Sequence, residues 1–242
     1  MITSTKNEKI KEVLKLKQKK YREETNLILL EGYKIFEEAK KVNANIKEIF
    51  LTKKLQDKLN LSYKNITIIS DEVSNKLTFN QTSQDFFAVI EKPVQKIDGG
   101  SFLILDNIQD PQNLGAIIRT SVATNVKNLY LINCVDIFND KVIRASMGNV
   151  FKINYKNVEV QDLEEISKNN EIYCADMYGE NLFKTKQPNK TFGLILGNEG
   201  NGVSKEVKKF ATKTLSIPMQ NDVESLNVAV SASVILYFLT NC

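Results

Sequence analysis

Three short stretches hold the residues that could do chemistry. The first, "DNIQDPQNLGAIIRTS" (106–121), sets Asn113 and Gly115 in a polar turn and one arginine, Arg119, in the apolar helix that follows. A guanidinium at such a mouth can stabilise negative charge as it develops on a reacting oxygen. The second, "LILGNEGNGVS" (194–204), follows an apolar strand with three glycines and two asparagines. Its main-chain amides can approach a ligand closely. The third, "SIPMQNDVESLNVAVSAS" (216–233), ends a strand at Pro218 and opens a helix around Ser225, Leu226 and Asn227. Each stretch alone has a plain structural reading. Asn113 could cap its helix, Gly115 could allow close packing, and Ser225 could be an N-cap. A Ser225 cap leaves Asn227, polar at the mouth of an apolar helix, without a role.

What is missing narrows the chemistry. The chain has no histidine, so the usual imidazole base, nucleophile partner or zinc ligand is absent. No Gly-x-Gly-x-x-Gly turn follows a strand, and no Walker loop is present. Dinucleotide and P-loop chemistry are therefore disfavoured. No metal site is expected.

The elements that must position these loops are strands and helices in alternation. A basic helix is predicted over 3–23. "NLILLEG", "IKEIFLT", "NITIIS" and "DFFAVIEK" read as strands, with helices at 33–41 and 53–59 and a short one in "EVSNKL" capped by Asp71. "PVQKIDGG" (93–100) reads as a linker. The pattern then restarts with strands "SFLILD", "NLYLIN", "EIYCAD", "TFGLILG" and "TLSIPM". Helices are predicted at 113–125, 140–147, 161–169, 203–210 and 225–240. Such alternation predicts an α/β fold with a mostly parallel sheet, whose ligands bind at the carboxyl ends of strands.

Composition is that of a soluble globular protein. Residues 1–25 carry eight basic and four acidic side chains, an excess equal to the whole chain's net charge of +4. That predicts either a leader that meets a phosphate backbone or a solvated helix. Cys134, Cys174 and Cys242 are isolated, so a reducing cytoplasm is expected. The polar N-terminus does not read as a secretion signal. The apolar run "VAVSASVILYFL" is too short to span a bilayer, so no membrane partner is expected.

Taken together, "NLGAIIRT", "LGNEGNGVS" and "IPM…SLNVAVSAS" resemble, in order and spacing, the three motifs of the SpoU (TrmH-like) RNA 2′-O-ribose methyltransferases. "VIRASMGNVF" (142–151) resembles a further stretch of that family. The resemblance covers 100–242. Residues 1–95, through "ITSTKN…VLKLKQKKYR…LLEG", look like the family's basic leader and L30e-like RNA substrate-binding domain. It implies a SPOUT fold with a trefoil knot formed by the loops around 197–203 and 217–227. It implies S-adenosylmethionine held by Leu196, Gly197, Asn198, Ile217, Met219 and Leu226. It implies Arg119 as the catalytic arginine, as base or as electrostatic stabiliser, with Asn113 orienting it. Glu199, Ser225 and Asn227 would shape the site. RNA, and within it large-subunit (23S) ribosomal RNA, is the implied substrate, and a homodimer the implied working unit. Transfer RNA is the alternative substrate, and a catalytically idle RNA-binding or ribosome-assembly protein the alternative class. The apolar positions of 226–239 independently suggest a helix covered on more than one side, hence a second subunit.

Overall fold

The structure is a computed structural model, and it describes residues 1–94, 96–221, 223 and 225–241. Cys242 lies outside the described residues. The chain divides into two compact units, residues 1–94 with 138–144, and residues 95–137 with 145–242.

The first unit opens with two helices, α1 (Glu8–Lys15) and α2 (Lys19–Thr25), where one helix over 3–23 is expected. The break is held by a buried charge. Arg22 is 6% exposed, and its Nη1 donates to the Leu16 carbonyl at 2.9 Å. Then come β1 (Leu27–Glu31), α3 (Tyr33–Lys41), β2 (Ile46–Thr52), α4 (Lys53–Leu59), β3 (Ile66–Ile69), α5 (Asp71–Leu77) and β4 (Phe86–Glu91). The sheet order is β1-β4-β2-β3, with β4 antiparallel to β1 and β2. Ser70, not Asp71, caps α5: its side chain accepts from the Val73 amide. Asp71 opens the helix and complements its dipole instead.

The basic leader is structural. Ile10, Val13 and Leu16 recur at helical spacing and are buried in one core with Leu29, Phe50, Ile69, Leu77 and Phe87. Most of its lysines are paired: Lys11 with Glu8, Lys15 with Glu12, and Lys9 with Glu48. Lys17 reaches the carbonyl of Thr78 at 2.7 Å, beyond the C-terminal end of α5. Lys9, Lys17 and Arg22 thus make contacts inside the unit, and the leader helix packs on the core where a solvated helix is the plain expectation. Ile10→Ala is expected to destabilise this unit by about 2–5 kcal/mol through lost burial and a residual cavity. Chemical denaturation of the full chain measures it. A loss under about 0.5 kcal/mol, the size of a surface change, would show the leader to be loosely attached.

The second unit carries β5 (Phe102–Asp106), α6 (Pro111–Ala123), β6 (Asn128–Ile132), β7 (Asn154–Asn157), α8 (Leu163–Ser167), β8 (Glu171–Asn181), β9 (Phe192–Leu196), α9 (Lys205–Lys208), β10 (Lys213–Ser216) and α10 (Val228–Thr240). Between β6 and β7 lies α7 (Asp140–Ala145). All but the last residue of α7 group with the first unit, although the sequence pattern assigns 100–242 as a block to the second. The sheet order is β10-β8-β9-β5-β6-β7, and every pairing is parallel. The sequence pattern missed β7, whose "NYKN" is polar and half-exposed, as suits an edge strand. β5 and β9 are buried along their whole length, which is why "FLILD" and "FGLIL" read as unbroken apolar runs. They are neighbours, with Leu105 opposite Leu196. The loops that follow them therefore emerge side by side at one edge of the sheet. This adjacency brings the first and second stretches together. Among the described residues, no helix is long and apolar enough to cross a membrane.

Candidate functional site

The first loop is set by its own side chains. Asp110 caps α6 by accepting from the Gln112 amide at 2.7 Å, and Pro111 follows at the first helical position. Asn113 is therefore not the cap. It is the third residue of the helix, nearly buried, with its amide free to reach sideways. At the end of β5, the Asp106 carboxylate accepts from the Ser204 amide at 2.7 Å and ties down the end of the second loop.

The second loop folds back on itself. Asn198 and Gly202 exchange two main-chain hydrogen bonds of 2.9 Å, and Gly202 has a positive φ of 67°. The Asn198 side chain accepts from the amides of Gly200 and Asn201, and donates to the Asn107 carbonyl at 3.0 Å. Its polar atoms are committed to loop shape, so what it offers a ligand is main chain. At Gly197 a Cβ would fall inside the backbone of Gly202 and Val203. Only glycine lets this turn close.

The third loop ends at α10, and its cap is Asn227 rather than Ser225. The Asn227 Oδ1 accepts from the amides of Ala229 and Val230 at 2.9 and 3.4 Å. This supplies the role that the sequence reading left open. The same side chain donates to Asn113 Oδ1 at 2.9 Å, and Asn113 Nδ2 donates to Glu199 Oε1 at 2.6 Å. The chain Glu199–Asn113–Asn227 joins the three loops.

Beside this chain lies a cavity of about 420 Å³. Leu196, Gly197, Asn198, Ile217, Met219 and Leu226 all line it, together with Glu199 and Ser225. Its wall also includes residues the sequence reading did not single out: Ala175, Asp176, Met177 and Tyr178 within β8, and Ser231 and Ile235 of α10. No periodicity flagged the β8 group, because "CADMYG" looks like an ordinary strand end. A partly apolar cavity of this size with main-chain donors at one wall suits a small organic ligand.

Arg119 stands apart. It is exposed, six residues beyond Asn113 on α6, and so faces a different side of that helix. It does not line the cavity. Asn113 has both its amide atoms engaged with Glu199 and Asn227, so it does not orient Arg119 directly. Among the described residues the Arg119 guanidinium has no hydrogen-bond or ion-pair partner. Cys134 and Cys174 are free, and burial pushes both thiols up to about 11. Neither is a thiolate nucleophile at neutral pH.

A parallel α/β sheet with three loops converging on one cavity at its carboxyl edge is the frame of a ligand-binding α/β protein. The profile described as SpoU rRNA Methylase family matches residues 100–237, and that of an MRM3-like substrate binding domain matches residues 7–88. The chain belongs to the SpoU rRNA methylase family and is an RNA methyltransferase. It is 32% identical over 243 residues to the 23S rRNA (guanosine(2553)-2′-O)-methyltransferase RlmP of Bacillus subtilis, covering 98% of each chain. A TrmH-family protein from Porphyromonas gingivalis superimposes with a TM-score of 0.85 at 27% identity, covering 96% of this chain and 97% of that one. The AdoMet-bound rRNA methyltransferase of Sinorhizobium meliloti shares the fold, with a TM-score of 0.86 at 24% identity over 99% and 97% of the two chains.

Proposed function

We propose that the chain transfers a methyl group from S-adenosylmethionine to a ribose 2′-hydroxyl of large-subunit ribosomal RNA. The observation that carries this reading is the cavity: the six residues expected to hold the cofactor, scattered over 31 positions of sequence, line one wall system. The likeness to RlmP over both units supports ribosomal RNA as substrate. Leu196, Ile217, Met219 and Leu226 supply apolar surface, and the 197–202 turn supplies main-chain donors and acceptors. When bound, S-adenosylmethionine supplies an electrophilic methyl on a sulfonium. The protein's part is to hold the ribose in line and to stabilise the negative charge that grows on its 2′-oxygen. Arg119 does the second, since a guanidinium keeps its proton and offers a planar fork to an oxyanion. The hydroxyl proton leaves to a phosphate oxygen or to water. Residues 1–95 select the RNA, and 100–242 carry the chemistry. The knot implied by the resemblance belongs to the same proposal, since the 197–203 and 217–227 loops share the cavity wall. The cytoplasm is the expected compartment, as the free thiols of Cys134 and Cys174 suit a reducing medium. Mapping ribose methylation over all cellular RNA with and without the gene tests the function. One 2′-O-methyl lost from 23S RNA is the expected result; loss from transfer RNA alone would overturn the substrate assignment.

The working unit in this proposal is a homodimer. Val228, Ala229, Ala232, Ile235, Leu236 and Leu239 of α10 are buried within the chain, mainly against α6, where Thr120 and Ser233 are hydrogen bonded at 2.8 Å. Its other side leaves Val230 48% and Tyr237 47% exposed. Phe183, 57% exposed, stacks edge-on against Phe238 beside them. A second copy covers this face, and Arg119 of the partner subunit then completes a site that Arg119 of the same chain does not line. Val230→Asp is expected to give a folded monomer by sedimentation equilibrium, with methylation lost. A wild-type chain that sediments as an active monomer at micromolar concentration would refute the dimer.

A further inference from the structure

β8 leaves its ladder and rejoins it. Tyr173 and Cys174 pair with Lys213 and Thr214 of β10, and Glu180 and Asn181 pair with the next two residues, Leu215 and Ser216. Residues 175–179 are thus thrown out between two consecutive residues of the partner strand. The excursion is pinned at several points. Lys208 Nζ donates to Asp176 Oδ2 at 2.7 Å, and the Tyr178 amide donates to Asp176 Oδ1 at 2.9 Å. Ser216 Oγ donates to the Met177 carbonyl at 3.0 Å. Gly179 lies so close to β10 that a Cβ would sit 2.7 Å from the carbonyl carbons of Thr214 and Leu215. Burial raises the Asp176 carboxyl, yet the Lys208 ammonium and the Tyr178 amide outweigh it and hold the group below the usual carboxylate range.

This pinned segment presents Tyr178, 88% exposed, and Met177, 48% exposed, and both line the cavity. Among the described residues this large aromatic ring, held in water by its pinned backbone, has no ring to stack on. A flat ligand in the cavity beside it supplies one. Strand order says which part of that ligand. The excursion interrupts β8, the Asn113 loop follows β5, and β9 lies between these two strands. The 197–202 loop leans towards β5 through Asn198–Asn107 and Glu199–Asn113. Tyr178 therefore stands on the far side of the cavity from the polar chain that joins the three loops.

We propose that Tyr178, presented by the 175–179 excursion, is the cover of the cofactor cavity and stacks on the purine of S-adenosylmethionine. The inference rests on the cofactor reading above. Calorimetric titration of the full-length protein tests it, with S-adenosylmethionine, S-adenosylhomocysteine and methylthioadenosine, which has the purine but lacks the amino-acid part. Tyr178→Ala is expected to weaken all three about tenfold, the scale of one lost aromatic–base stack. Tyr178→Phe keeps the ring and is expected to stay within about twofold of wild type. The KM for cofactor rises with the Kd, and the KM for RNA does not. Because the side chain is almost fully exposed, neither variant threatens folding. Unchanged affinity in Tyr178→Ala overturns the proposal, including the case where only the KM for RNA rises, which gives the ring to an RNA base. Weakening of the first two ligands but not of methylthioadenosine also overturns it. Wild-type protein that binds none of the three sinks the cofactor reading itself, a different outcome from the others.

Discussion

Arg119→Ala lowers the rate of methyl transfer by roughly 10²–10³-fold while S-adenosylmethionine still binds as to the wild type. The expectation follows from where the side chain lies. It is exposed, outside the cavity, and free of partners among the described residues, so it contributes nothing to the cavity wall or to packing. In the proposed mechanism its loss removes only an interaction made with the reacting oxygen, so kcat is expected to fall with kcat/KM. Arg119→Lys recovers part of the rate at most, because a point ammonium lacks the planar fork. Single-turnover kinetics with cofactor titration in parallel measure both. Turnover within a few-fold of wild type in Arg119→Ala would remove Arg119 from the chemistry.

Gly197→Ala has the opposite signature. A Cβ at this position meets the main chain of Gly202 and Val203, not the movable end of a side chain. The 197–202 turn must open, which breaks the two Asn198–Gly202 hydrogen bonds and moves the main chain that lines the cavity. Cofactor binding is expected to fall by at least about 100-fold, the consequence of displaced main-chain contacts of about 1.4 kcal/mol per factor of ten. Activity falls with it. Binding within about threefold of wild type would show that the turn tolerates the methyl group and that this main chain does not hold the ligand.

The two variants together test how the site is assembled. If Arg119 of one subunit serves the cavity of the other, mixing the two inactive homodimers yields a heterodimer with one intact site. Random exchange of subunits then restores about a quarter of wild-type activity, set by the two-fold symmetry of the dimer. If each chain supplies both cavity and arginine, every site in the mixture lacks one of them and no activity returns.

Much of this protein was decided by the sequence alone. The apolar runs of β5 and β9 and the helical spacing of Ile10, Val13 and Leu16 are local patterns. Each can be read without knowing what it packs on; the Asp-Pro start of α6 is local too, yet the sequence reading began that helix at Asn113. Strand–helix alternation, the parallel sheet and the place of the three loops at its carboxyl edge follow from them. The absence of histidine restricted the chemistry before any coordinate was known. Tertiary structure decided what depends on residues far apart in the chain. Asn113 and Asn227 are 114 positions apart, and only the convergence of two loops makes them partners. That pairing fixes Asn227 as the cap of α10 and turns Ser225 towards the cavity, where local rules favoured Ser225. The fate of the leader's charge was equally hidden. Whether Lys17 and Arg22 meet RNA or their own unit's carbonyls depends on what lies across from them, not on their count. The 175–179 excursion was invisible because it is a mismatch of register between β8 and β10, and neither strand carries that information by itself. Periodicity and propensity act over one or two turns or one strand, whereas hydrogen-bond partnership and register belong to pairs of segments, which only the folded chain brings into contact.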